Sequence, residues 1–304
     1  MLADFYVESV LAKCEALKKG GIWAPEPHVR PGAWLDNFKD PQDRLLAAIL
    51  LDNFVFYSER TAGRLLAAGY DQLEDEVLLG HIPSNGTPDT FLDGCIFTPI
   101  EGETPRPTDS GNTLCKKLRD LKEIDDSRFF ETPDALREVL QGRSVVFVDD
   151  FLGSGQQMIR TWQRAYLGAA PSSFEEAHAR HPFTAICLAM VATEKALESI
   201  ARDVPAVRVV ATHVLDASYS VQKLDAPMLT PPLIDFQRSL RSFLARHAPH
   251  LDLPPFLQAG APSLFGFYEL GLLFAIQGGV PDSTVPLLWA AGHGGWIRLV
   301  RKNA

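Results

Sequence analysis

Cysteine is scarce in this chain. Four residues in 304, Cys14, Cys95, Cys115 and Cys187, stand far apart, without the close pairs of a metal knuckle or a disulfide framework. A reducing compartment is therefore expected. Histidine offers no metal site either. His178 with His181 and His247 with His250 are the closely spaced pairs, and neither has neighbouring ligands of metal type, so no zinc is assigned. Long apolar runs are also missing. The stretches 253–268 and 270–281 are broken by Pro and Gly and are too short to span a bilayer. No export signal is read at the start, because Asp4 and Glu8 interrupt it, and a soluble cytoplasmic protein with no membrane partner is expected.

Basic charge is in deficit. Lys and Arg number 29 against 38 Asp and Glu, a formal charge of -9, which argues against bulk nucleic-acid binding. The local basic groups Lys116, Lys117 and Arg119, and Arg298, Arg301 and Lys302, read as solvated faces. At 46% hydrophobic residues the chain can bury one large core or two modest ones.

Against these absences stands one dense segment, SVVFVDDFLGSGQQ at 144–157. Val145, Val146, Phe147 and Val148 suit a strand buried on both faces, and Asp149 and Asp150 fall where such a strand emerges, the end at which ligands bind. Gly153 and Gly155 permit positive φ and close backbone approach, so that amides at the start of the next helix can surround a phosphate.

Three familiar motifs are excluded here. A Walker A loop needs Lys and then Ser or Thr after its last Gly, where this chain has Gln156 and Gln157. A dinucleotide fingerprint needs a third small residue at the place of Met158. A nucleophile elbow around Ser154 needs Gly where Leu152 stands. A receiver-like acceptor site fails too, because Asp203 and Lys195 are wrongly placed. What remains is a turn holding a monophosphate on backbone amides, with the two acids serving ribose hydroxyls or a magnesium ion.

A second candidate loop, Thr108-Asp109-Ser110-Gly111, precedes a helix carrying Lys116 and Lys117. One reading is a helix cap supplied by Asp109 or Ser110. The other is a second anion site at the helix start.

Asp149, Asp150, Phe151, Leu152, Gly153, Ser154 and Gly155 resemble, position by position, the ribose-phosphate motif of the type I phosphoribosyltransferases. Members often carry a hydroxyl residue at the position of Gln157, and the purine-salvage group has an acidic base catalyst where Gly153 stands, so purine salvage is disfavoured. The C-terminal stretches GLLFAIQGGVPDSTVPLLW and GGWIRLVRK are similar to the ending of a divergent branch found in prokaryotic conflict systems, antiphage defence loci that include some retron loci. Pro281, Thr284, Pro286, Trp289, Trp296 and Arg301 carry that likeness, while Asp282 and Ser283 stand where asparagines are expected. Pro281 to Pro286 also reads as a rigid loop, with both tryptophans filling core.

The resemblance implies an α/β fold with a mostly parallel sheet, an N-terminal helical extension and a C-terminal helical and loop cap. It implies a ribose 5-phosphate ligand held by Leu152, Gly153, Ser154, Gly155, Gln156 and Gln157, with Ser110 and Gly111 at the second loop. Asp149 and Asp150 become the catalytic and metal-binding pair, with Mg2+ as cofactor. The implied activity is ribosyl-phosphate transfer or N-glycosidic cleavage within a defence system, with a protein partner such as a reverse transcriptase complex and a homo-oligomer left open. A sensing or assembly module that has lost the chemistry is the alternative.

The pattern along the chain fits that fold. Leu45, Ala48, Ile49, Asn53 and Phe56 trace a helical stripe after Asp40-Pro41, a further helix is predicted at 60–68, and the Pro- and Gly-rich segment 81–90 reads as a linker. Two regions are expected, a helical 1–90 and an α/β 91–304. Within the second, strands are predicted at 95–100, 145–148, 183–191 and 207–214, helices at 112–121, 156–167, 194–202 and 231–247, and a last strand at 271–276.

Overall fold

The computed structural model describes residues 2–84, 86–102, 110–166, 171–225, 236–258 and 263–302. In chain order the first elements are α1 (Leu2–Lys19), α2 (Pro31–Leu35), α3 (Pro41–Asp52), β1 (Val55–Tyr57), α4 (Glu59–Leu78), α5 (Pro88–Gly94) and β2 (Ile96–Pro99). Then come α6 (Ser110–Lys122), α7 (Thr132–Val139), β3 (Val145–Leu152), α8 (Gln156–Gln163), α9 (Phe174–Arg180), β4 (Ala185–Thr193), α10 (Glu194–Asp203) and β5 (Val207–Leu215). The chain closes with α11 (Phe236–His247), β6 (Leu251–Asp252), α12 (Pro255–Gln258), β7 (Phe274–Ile276), α13 (Pro286–Trp289) and β8 (Ala291–Gly292). Among the described residues, no helix is long and apolar enough to cross a membrane.

The chain divides into two compact units, one of residues 63–215 and one that joins 1–62 to 216–304. A boundary near residue 90, expected from composition, divides the chain differently. Most of α4 belongs with the sheet-bearing unit, and the chain's two ends share the other.

The 63–215 unit is built on a four-stranded parallel sheet in the order β2-β3-β4-β5. Val145, Phe147, Ala185, Cys187 and Ala189 pack with Met158 and Trp162 of α8, Phe174 of α9 and Ala196 and Ile200 of α10. The other face of the sheet meets α4. A Cβ on Gly69 of that helix would lie 3.0 Å from Leu188 Cδ1 and closer still to the Thr212 hydroxyl, and Thr212 donates to the Leu65 carbonyl at 3.0 Å. Cover on both faces explains why β4 is buried at every position, and why the strand at 145–148 reads as an unbroken apolar run.

Two predicted elements are shortened. Helix α8 ends at Gln163 rather than continuing to 167, because Arg164 turns to Glu101 and the Gly102 carbonyl, while the Tyr166 amide bonds to Ser172. The last predicted strand survives only as β7, and it pairs in parallel with β1 instead of joining the main sheet.

The other unit has its own core. Asp40 caps α3 by accepting from the Gln42 and Asp43 amides, with Pro41 in the first turn, as the sequence predicts. Leu45 through Leu51 are all buried, so α3 is apolar on every side, as suits a central helix. The chain's two ends meet around it. Trp34 donates to the Leu287 carbonyl at 3.0 Å, Asn37 to Ile297 at 2.7 Å, and the Arg30 amide to Leu299 at 2.9 Å.

Candidate functional site

Strand β3 runs past its apolar stretch and carries both acids at its C-terminal end. They are not equivalent. Asp149 is 3% exposed, and its Oδ1 accepts the Asp150 amide hydrogen at 2.9 Å, whereas Asp150 is half-buried. Asp149 also lies near two thiols. Burial and then the Asp149 carboxylate push Cys187 well above the ordinary thiol value, and Cys115 on α6 is raised by burial first, then by Asp149 and Glu131. Both are neutral thiols, unsuited to nucleophilic attack.

The turn after β3 is shaped by Gly155, which caps α8 with φ +78°. A side chain at this position is excluded twice over. The left-handed conformation disfavours one, and a Cβ would stand 3.0 Å from the Ala196 carbonyl oxygen and 3.0 Å from Ile200 Cγ1. Gly155 is the member of the glycine pair that takes positive φ. It brings no capping side chain, and the Gln156 amide makes a long 3.4 Å contact with Ser154 Oγ. Gln156 is half-buried and Gln157 exposed, while Leu152 is buried beneath the turn.

The second loop converges on the same sheet edge. Helix α6 begins at Ser110, and a Cβ on Gly111 would lie 2.8 Å from Pro99 Cβ and 3.0 Å from the Ile100 carbonyl oxygen, so the helix start seats on the end of β2. That end is hydrogen-bonded to β3, with Pro99 beside Val148. Ser110, Gly111, Asp149, Asp150 and the Gly155 turn thus occupy neighbouring strand ends, at the edge where parallel sheets place their ligands. Thr108 and Asp109 lie outside the described residues.

Sequence reading misses the anchor behind this edge. Glu101, just beyond β2, pairs with Arg164, accepts from the Tyr166 hydroxyl at 3.0 Å, and donates its amide to Thr161 Oγ1 at 3.2 Å. Partners some sixty residues apart leave no local pattern by which to find them.

A magnesium ion can be weighed against these residues. Among the described residues, no three His, Cys, Asp or Glu side chains gather as a metal cage. Neighbouring strand residues project to opposite faces, so the two acids do not by themselves form a clamp. Mg2+ commonly takes one or two carboxylates and completes its shell with substrate phosphate and water. The half-buried Asp150 fits that part, and the buried Asp149 fits a hydrogen-bond acceptor better.

The C-terminal residues of interest are structural within their own unit. Thr284 is buried and donates to the Phe274 carbonyl at 2.6 Å, and Trp289 donates to the Thr284 carbonyl at 2.9 Å. Asp282 pairs with Lys302, whose ammonium lies 4.4 Å from the Trp289 ring centroid. Trp296 stacks on His250 at 6.3 Å. Both tryptophans pack against the core, in keeping with the rigid-loop reading of this stretch.

The 63–215 unit thus carries a parallel sheet with an acidic pair and a glycine-capped helix at its C-terminal edge. The match to the PRTase-CE family runs over residues 31–302, nearly the whole chain, and the protein belongs to that family. Among solved structures it is similar to the crystal structure of orotate phosphoribosyltransferase from Aeropyrum pernix, with 16% identity, 49% of this chain and 70% of that chain covered, and a TM-score of 0.26. No curated protein matches the chain.

Proposed function

We propose that the site binds a ribose 5-phosphate unit, as phosphoribosyl pyrophosphate or a nucleotide, and acts at its anomeric carbon by ribosyl-phosphate transfer or N-glycosidic cleavage. The observation that carries this reading is the pairing of Asp149 and Asp150 at the end of β3 with the Gly155-capped start of α8. The amides of 153–157 take the 5-phosphate and fix its orientation. The carboxylates accept from the ribose hydroxyls and favour the positive charge that develops on the sugar. Asp150 would hold a Mg2+ ion, which would supply charge neutralisation for a departing pyrophosphate. We assign that end of the ligand to the start of α6, at Ser110 and Gly111.

We further propose, from the likeness of the C-terminal stretches to a branch found in prokaryotic conflict systems, that this activity serves an antiphage defence system, with a protein partner from the same locus, a reverse transcriptase complex being one such partner. A reverse-transcriptase or nucleotide-signalling gene beside this one supports that assignment; a salvage operon opposes it.

A second reading, a nucleotide-sensing module without chemistry, is favoured by Gln157 in place of a hydroxyl residue and by the lack of a recognisable base-binding residue. Calorimetry with ribose 5-phosphate, phosphoribosyl pyrophosphate and the common nucleotides, with and without Mg2+, followed by product analysis, separates the two. Binding with turnover supports the enzyme, and binding alone the sensor. Absence of binding by ribose 5-phosphate, phosphoribosyl pyrophosphate and the common nucleotides alike refutes both.

A further inference from the structure

We propose that Thr193 is the positioning residue of the phosphate turn, aiming the Ser154 amide at the ligand from behind; this rests on the ribose 5-phosphate reading above. Thr193 is the last residue of β4 and the N-cap of α10. Its hydroxyl oxygen accepts the Ala196 amide hydrogen at 3.1 Å and its proton goes to the Gly153 carbonyl, so one side chain ties the turn to the next strand–helix junction. Thr193 is buried and its hydroxyl is engaged in both of these bonds, so its part is to position the turn and not to touch the ligand.

The consequence follows from peptide geometry. In a trans peptide the C=O and the following N–H point in opposite directions across a rigid plane. Fixing the Gly153 carbonyl on Thr193 therefore turns the Ser154 N–H away from the β4–α10 junction. The same bond removes a carbonyl oxygen that would otherwise face, and repel, a phosphate. Contacts from α10 complete the hold, since Ala196 and Ile200 leave no space for a Cβ at Gly155. The turn is thereby set in advance of binding.

The test compares Thr193→Val, which keeps the shape and loses the hydroxyl, with Thr193→Ser, which keeps the hydroxyl. Ribose 5-phosphate affinity is measured by calorimetry, and exchange of the Ser154 amide hydrogen is followed in the ligand-free protein. The valine variant is expected to bind about tenfold more weakly, the scale of one lost hydrogen bond, with faster Ser154 exchange. The serine variant should stay within about threefold of wild type on the same scale. Should the valine variant fail to fold, Thr193→Cys, whose thiol is a weak donor, carries the comparison. Wild-type affinity and exchange in the variant lacking the hydroxyl overturn the positioning role alone. A wild-type protein with no affinity for ribose 5-phosphate overturns the site assignment, and the positioning role with it.

Discussion

Tyr166 donates its phenolic hydrogen to Glu101 at 3.0 Å, across 65 residues of sequence, and so ties the segment after α8 to the end of β2. Burial first, then the Glu101 carboxylate, push the phenol far above its ordinary value, so it remains a donor throughout the working pH range. Tyr166→Phe should cost about 1–2 kcal/mol, a hydrogen bond to a charged acceptor, seen as a lower midpoint in urea. Glu101→Ala should cost more, since it releases Arg164 as well. An unchanged midpoint in both variants would show that the anchor holds nothing.

The turn at Gly155 offers a sharper case. Gly155→Ala combines a left-handed φ with a Cβ 3.0 Å from the Ala196 carbonyl oxygen. The backbone strain costs about 1–2 kcal/mol and the overpacking about 1–3. Ribose 5-phosphate binding should fall together with stability, because the carbon displaces the turn itself. A stable Gly155→Ala protein with wild-type affinity would detach the turn from the ligand.

Asp149 and Asp150 should separate under mutation. Asp150→Asn, at a half-buried strand end, is expected to leave the melting temperature nearly unchanged while abolishing turnover or Mg2+-dependent binding. Asp149→Asn touches a buried side chain that accepts a backbone amide, and should cost about 1–3 kcal/mol of stability besides. Thermal melts and calorimetry on the two single variants check this. Equal loss of stability in both would contradict the difference in burial.

Much of this was legible because the chemistry is local. Val145 to Gly155 contains the strand, the acids and the turn within a dozen residues, and the strand's burial on both faces leaves an apolar run visible in any reading. Asp40-Pro41 announced α3 for the same reason, a cap being a contact between near neighbours. What escaped depends on distant partners. The 271–276 run reads as one more strand for the main sheet, yet Phe274 pairs with Val55, a choice made by tertiary packing and not by β-propensity. The Glu101 anchor and the hold of Thr193 on Gly153 are likewise invisible to periodicity, since neither partner lies within a helical turn of the other in sequence.

The thiols yield a chemical prediction. Cys14, Cys95, Cys115 and Cys187 are all buried, and desolvation pushes Cys14 and Cys95 up to about 12 and raises Cys115 and Cys187 well above the ordinary thiol value. Thiolate, the reactive form, is therefore scarce at pH 8. Reaction with a disulfide reagent should be slow in the native protein and fast, at four equivalents, in guanidinium. Rapid labelling of even one thiol in the native state would mean that its surroundings open readily.

Acid should loosen the unit that joins the chain's ends. Asp43 of α3 is buried, which alone would raise its carboxyl, but hydrogen bonds from Arg246 and His247 of α11 outweigh that and hold it below the ordinary 3.8. The His247 Nε2 to Asp43 Oδ2 distance is 2.9 Å. A carboxyl depressed by folding contributes stability above its unfolded value and loses it as pH falls through the folded value. Asp43→Asn should therefore cost about 1–3 kcal/mol at neutral pH, given the half-open setting of Arg246. The gap between variant and wild type should close below pH 3.8 as the native carboxyl is protonated. Thermal unfolding from pH 6 to pH 2 measures that gap, and a difference that stayed constant across the range would assign the cost to packing instead of charge.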